Sequence, residues 1–326
     1  MPQVRIAVAR YMWESPAPQA QAHVPWSDWV FDEIFRSPNG WSLHDFWLRS
    51  TFGFIQPLFD VRPWRILRGR NQADLMNDRG AMVNACRDQA REDGEPLDGF
   101  DRVIAFVHAP PCNAGARSSP GDAVLDQGGW LPYFQHEIGH VLGFEHSFGP
   151  GGPYDDPYCV MGYTNTQSHR IEMPTDFSGV TMLKGADFWQ SERVLSGASL
   201  YRYLPDFANS DRVGRVDISQ GAHITLTSLS EGHWGGLLLA VAPAEVGDLT
   251  VEYRTRSLDD AGVSPAVVVH SIGRRFFDAG HEVDPVWFEA AIDPVTSTVE
   301  RIGHDLELEV TSSGGREVSV YLTRPA

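Results

Sequence analysis

The stretch His136-Glu137-Ile138-Gly139-His140-Val141-Leu142-Gly143-Phe144-Glu145-His146 decides how this chain is read. Apolar residues from Trp130 to Phe144 recur at helical spacing, so His136 and His140 fall on one helix face, a turn apart. Two imidazoles placed in this way can converge on a single Zn2+ at about 2.0–2.1 Å. Glu137, beside the first ligand, is placed to reach a water at the metal rather than the metal itself. Gly143 lets the chain leave the helix sharply, because glycine adopts left-handed backbone angles without steric cost. That turn brings His146 back as a third ligand. Three protein ligands leave one position open, which marks a catalytic zinc site rather than a structural one. The glycine and the third histidine make this far more specific than a bare His-Glu-x-x-His. The competing reading is three histidines on a satisfied helix end.

Downstream comes Asp155-Asp156-Pro157-Tyr158-Cys159-Val160-Met161-Gly162-Tyr163. The histidine pattern followed by a methionine in this register resembles the metzincin metallopeptidases. That resemblance implies that Met161 forms an apolar floor under the histidines, a place its flexible thioether suits. It also implies that Tyr163 ligates zinc or stabilises an oxyanion. The surrounding order narrows the match. An aromatic helix ends in Ser50-Thr51-Phe52-Gly53, and a strand contains Pro63-Trp64-Arg65-Ile66-Leu67. Phe100 to Phe106 and the Cys112-Asn113-Ala114-Gly115 loop follow. Over residues 40–270 this is similar to the gametolysin-like and immune-inhibitor-A-like branch. Val251-Glu252-Tyr253-Arg254 resembles the β-sandwich that follows the catalytic domain there. Cys112 lies too close to the site in sequence to be a removable inhibitory cysteine, so matrixin-type latency is not implied.

The resemblance implies a zinc-dependent metalloendopeptidase that hydrolyses peptide bonds with a zinc-activated water, Glu137 being the general base. A protein or peptide substrate would add as a strand to an edge presented by Asn113 to Gly121. Two alternatives stay open. One is a zinc amidohydrolase acting on a small peptide-like metabolite; the other is a non-catalytic protein that binds ligands through the β-sandwich.

Composition sets the outer bounds. The 326 residues are 42% hydrophobic and include 10 Trp and 17 Phe, enough to build a sizeable core and to exclude disorder. A formal net charge of -17 disfavours nucleic acid or an anionic membrane as the main partner. No apolar run approaches ~20 residues, so membrane insertion is not expected. Three cysteines, Cys86, Cys112 and Cys159, exclude a disulfide framework; Cys112 and Cys159 either pair or stay free thiols. The first residues lack a signal-peptide pattern, which reads as cytoplasmic at face value, whereas the resemblance implies export. Oligomeric state is left open.

Along the chain, strands alternate with helices up to about residue 200. Val4 to Met12, Val61 to Leu67 and Arg102 to His108 read as strands. Trp29 to Phe35, Leu43 to Phe54 (with Ser42 as N-cap), Ala73 to Glu92 and Trp130 to Phe144 read as helices. After that, short β-branched runs separated by turn signals read as an all-β sandwich. The expected fold class is therefore α/β (α+β): a metzincin-type catalytic domain over 1–200, then a β-sandwich over 201–326. Asp155 and Asp156 are candidate Ca2+ ligands, against the plainer reading of turn-capping aspartates. His108, His169, His270 and His281 lack ligand spacing and read as surface or satisfied histidines. Asp259-Asp260 reads as a solvated turn, and Arg274-Arg275 is too short for a nucleic-acid patch.

Overall fold

The computed structural model describes residues 2–15, 24–109, 112–162, 168–171, 190–257, 260–273, 285–296 and 299–325. The protein is mixed α/β, with several sheets and seven α-helices among the described residues. It divides into two compact units. The first comprises Met1–Arg49, Ile55–Phe144 and Arg170–Ser191; the second comprises Ser50–Phe54, Glu145–His169 and Glu192–Ala326.

The first unit is built on strand β1 (Gln3–Ser15). On one side β1 pairs in parallel with β2 (Gln56–Val61) and then β3 (Arg65–Asn71). The sequence suggests one strand here, but Pro63 lacks an N–H for a ladder, and the chain breaks between the two. On the other side lies β4 (Arg102–Val107), followed by β6 (Ala123–Asp126), both parallel, and then the antiparallel β5 (Gly115–Ala116) at the sheet's end. β4 reads as a continuous apolar run because both of its faces are buried, whereas β6, also buried, lies in a stretch rich in Pro, Gly, Ser and Asn that reads as an irregular loop or edge strand.

Helices cover both faces. Ala7, Ala9, Tyr11 and Trp13, alternate residues of β1, pack with Val103, Ala105 and Val107 against helix α4 (Arg79–Glu92). The opposite face centres on Phe106. Its ring meets Phe31 of α1 (Asp28–Phe35) at 4.8 Å and Phe134 of α5 (Leu131–Leu142) at 6.1 Å, both near-perpendicular. That aromatic contact seats α5, the helix carrying His136 and His140, on the sheet.

Helix α2 (Leu43–Ser50) starts where expected, the Ser42 hydroxyl accepting from the Asp45 amide at 3.2 Å. It stops at Ser50, before a turn in which Phe52 and Gly53 have positive φ. The long helix expected over Ala73 to Glu92 is two helices. Short α3 (Gln72–Leu75) ends early because Asp78 caps α4, accepting from the Ala81 amide at 2.9 Å.

In the second unit, β7 (Ser147–Gly149) and β8 (Gly152–Pro153) follow His146 directly. The short β9 (His169–Arg170) lies where the division falls, and β10 (Gln190–Ser191) belongs to the first unit; α6 (Gly197–Tyr203) and α7 (Pro205–Ala208) follow in the second. Nine further strands are β11 (Val213–Arg215), β12 (Ala222–Thr227), β13 (Leu239–Pro243), β14 (Asp248–Arg254), β15 (Ala266–Ile272), β16 (Val286–Ile292), β17 (Val299–Ile302), β18 (Leu306–Gly314) and β19 (Glu317–Thr323). Together with β7 and β8 they form a seven-stranded sheet, β11-β13-β14-β15-β16-β7-β8, and a four-stranded one, β12-β19-β18-β17. Alternate residues of β18 and β19, such as Leu308 and Val320, share one buried cluster with Val251 of β14 and Val267 of β15. β7 enters the larger sheet by pairing with β16, Ser147 opposite Val286. No helix among the described residues is long and apolar enough to cross a membrane.

Truncating the residue at the centre of the aromatic face, Phe106→Ala, is expected to cost about 3–5 kcal/mol. Urea unfolding would show this as a lower midpoint at unchanged slope.

Candidate metal centre

His136 and His140 lie on α5 with ring centroids 5.0 Å apart. The helix ends at Gly143, whose φ is +107°, and its amide returns to the carbonyls of Gly139 and His140. The Phe144 amide also returns to the Gly139 carbonyl, at 3.0 Å. Two residues later comes His146. One ring nitrogen from each of His136, His140 and His146 lies within 4.8 Å of the others, and this is the one such group of metal-ligating side chains among the described residues.

The donor set fits a divalent ion of the zinc type. Three ligands at about 2.0–2.1 Å in tetrahedral array stand about 3.4 Å apart, and these nitrogens all lie within 4.8 Å of one another. Nδ1 of His140 lies 2.8 Å from the Phe144 carbonyl. A carbonyl only accepts, so Nδ1 carries the proton and Nε2 keeps its lone pair, the tautomer a metal requires. Phe144 is itself fixed by stacking on Trp47 at 5.5 Å. The His146 ring packs on Tyr154 at 4.1 Å between centroids.

Glu137 is buried, and two donors hold its carboxylate. The Ala116 amide of β5 donates to Oε2 at 2.6 Å. The Tyr133 hydroxyl, one helical turn back, is also hydrogen-bonded to Glu137; burial, and then this carboxylate's charge, push its pKa above the usual tyrosine value. Tyr133 was legible at its i, i+4 spacing from Glu137 but is not singled out by any motif.

Met161 is fully buried, and its carbonyl accepts from the Ser147 amide at 3.0 Å, which ties it to the residue after His146. Tyr163 lies outside the described residues, as do Asp259, Arg274, Arg275 and His281. All three cysteines are free. Cys112 donates its thiol to Asp126 Oδ2 at 2.9 Å, and burial pushes that thiol's pKa up, so it is no thiolate ligand.

The two aspartates considered for calcium both accept hydrogen bonds. Asp155 accepts from the Gly151 amide. Asp156 is fully buried: it accepts from the Ser147 hydroxyl, from the Tyr158 amide at 2.8 Å, and from His270 Nε2 at 3.0 Å. His270, read from sequence as merely satisfied, is thus a buried partner of the segment leading to Met161. Further charge surrounds that segment. Arg254 grips both Asp260 oxygens, at 2.7 and 2.6 Å, and donates to the Tyr158 carbonyl at 2.6 Å and to Glu252 at 3.1 Å. Arg193 donates to the Asp156 carbonyl at 3.1 Å. Asp260 is therefore no solvated turn residue; it is buried. No sequence spacing links these residues, which are far apart along the chain.

No protein-family model matches the chain, and no curated protein matches it.

The His270–Asp156 pair has a pH signature. Burial alone would lower the His270 pKa, but the Asp156 charge and hydrogen bond raise it above 6.5. Burial would likewise raise Asp156, yet His270 and the hydrogen bonds from Ser147 and Tyr158 hold it below 3.8. The His270 contribution to stability is therefore complete below pH 6.5 and is lost as pH rises through the elevated folded value. The Asp156 contribution is complete above pH 3.8 and is lost as pH falls through the depressed one. In denaturant titrations, wild type is expected to lose stability above pH 6.5, and His270→Gln to flatten that fall. An unchanged slope would remove His270 from that account.

Proposed function

We propose that the chain is a zinc-dependent metalloendopeptidase of the metzincin type, its mixed α/β part carrying the site and its two later sheets forming a β-sandwich. One observation carries the reading: three histidine nitrogens converge, and a buried carboxylate, Glu137, lies on the same helix as two of them. His136, His140 and His146 would hold the metal. When bound, zinc supplies Lewis-acid polarisation of the scissile carbonyl and makes water a better nucleophile at neutral pH. Glu137 takes the proton of the attacking water and returns it to the leaving nitrogen, a task that requires it within hydrogen-bond reach of both. Ala116 and Tyr133 keep the carboxylate in one place meanwhile. Met161 supports the turn after the histidines, and Tyr163 keeps the oxyanion role that the resemblance implies.

A second reading, a zinc amidohydrolase acting on a small peptide-like molecule, is favoured by the state of β5. Its outer edge is where an extended substrate would pair. The Ala116 amide is taken by Glu137, and the carbonyls of Ala114 and Ala116 are taken by Arg79, at 2.6 and 2.9 Å. A small amide needs no such ladder.

The deciding experiment compares wild type with Glu137→Ala, measuring zinc per chain and hydrolysis of folded proteins, peptides and small amides. Zinc near one per chain is expected in both, with hydrolysis about 10^2–10^4-fold slower in the variant. Hydrolysis confined to small amides would select the second reading. Absence of zinc from both proteins would remove the metal site, and His146→Ala, expected to bind zinc more weakly, checks the ligand set directly.

A further inference from the structure

Strand β5 is bonded on both edges. The Arg117 amide donates to the Asp122 carbonyl at 2.8 Å, and Gly115 sits opposite Val124. By the alternation of an antiparallel pair, the amide and carbonyl of Ala116 therefore point away from β6. The amide goes to Glu137. The carbonyl goes to Arg79, the first residue of α4, whose start is fixed by the Asp78 cap.

Arg79 commits each of its nitrogens to this segment. Nε donates to the Asn113 carbonyl at 3.0 Å, Nη2 to Ala114 at 2.6 Å and Nη1 to Ala116 at 2.9 Å. A planar guanidinium has fixed donor directions, so three bonds to a four-residue segment set its position and its twist together. The close approach depends on Gly115. Its φ is +133°, and a Cβ there would lie 2.4 Å from Arg79 Nη2.

We propose that Arg79 is a positioning residue for Glu137: the guanidinium fixes Asn113 to Ala116, and the Ala116 amide in turn fixes the Glu137 carboxylate. The mechanical link stands on these four distances. Its catalytic consequence rests on the reading of Glu137 as general base. A glutamate has three rotatable side-chain bonds, and Tyr133, on the same helix, restrains it from only one side. The Ala116 amide supplies the second restraint from a separate element. Without it, the carboxylate loses a restraint from outside its own helix, and a displacement of about 1 Å can cost on the order of 10^2 in rate.

The test uses the full chain loaded with zinc, as wild type, Arg79→Gln, Arg79→Lys and Glu137→Ala. Amide hydrogen exchange is read residue by residue, alongside zinc content and steady-state hydrolysis. In Arg79→Gln and in Glu137→Ala, the Ala116 amide is expected to exchange about tenfold faster or more, with β4 amides and zinc content unchanged. In Arg79→Gln, kcat on a small amide, which displaces none of the Arg79 bonds, is expected to fall about tenfold to a hundredfold at nearly constant KM. Arg79→Lys is expected to fall between, since a lysine offers a point donor in place of the fork. Unchanged Ala116 exchange in Arg79→Gln overturns the link. A raised KM with intact kcat overturns the positioning role and makes Arg79 a substrate contact. If wild type holds zinc but hydrolyses nothing, the proposed function fails, while the exchange data still decide the link. If Arg79→Gln loses protection throughout β4, it has unfolded, and Arg79→Lys decides by the same criteria.

Discussion

The Gly139 carbonyl accepts two amides at once, from Gly143 at 3.1 Å and from Phe144 at 3.0 Å. This double bond pattern needs a residue with positive φ at position 143, which is why a glycine stands there. The grouping of the three histidines follows from the resulting turn. It ends the helix at Leu142, two residues after His140 has been placed a turn from His136, and it puts the Phe144 carbonyl where it can select the His140 tautomer. It also reverses the chain early enough for His146 to join the other two. A helix running one turn further would carry residue 146 off along the axis, away from both.

The segment after that turn is held by a different kind of force. Asp156, Glu252, Arg254, Asp260 and His270 are all buried, and removing such ions from water costs several kcal/mol each. Their mutual attraction offsets that cost only where hydrogen bonds are complete, and the bidentate Arg254–Asp260 pair meets that condition. An apolar set of equal volume would often serve stability as well or better. What it would not supply is direction: Arg254 bonds the Tyr158 carbonyl, and Arg193 that of Asp156, so the backbone leading to Met161 has one position. Specification of that backbone, rather than net stability, is the physical case for charge here.

Local features were legible wherever the chemistry is local. The α5 helix, its glycine stop, the Ser42 cap and the three-histidine spacing all concern residues within a dozen positions of one another. The β-branched runs of the later strands read correctly for the same reason, since alternation is a property of neighbours. What escaped the sequence is non-local. Nothing in Arg79 says that its guanidinium meets carbonyls 34 to 37 residues away. Nothing in His270 announces Asp156, 114 positions distant. The split of Val61 to Leu67 at Pro63 and of Ala73 to Glu92 at Asp78 was written in residue types, but apolar periodicity outweighed those two signals.

The β5 edge is where the two functional readings separate physically. Hydrogen bonds to a charged group contribute about 1.5–3 kcal/mol each, and Arg79 makes three to this strand. An extended peptide that paired with Ala114 and Ala116 would have to replace two of them, and would also compete with Glu137 for the Ala116 amide. Water would resolvate the displaced guanidinium, so the net cost is well below the sum, but it falls on the ground-state complex of long substrates alone. A short substrate reaches Glu137 and the three histidines without disturbing the strand. On the proposed reading, the same arginine that steadies Glu137 biases the site against ladder-forming chains, and the size of the preferred substrate becomes a measure of how firmly Arg79 holds.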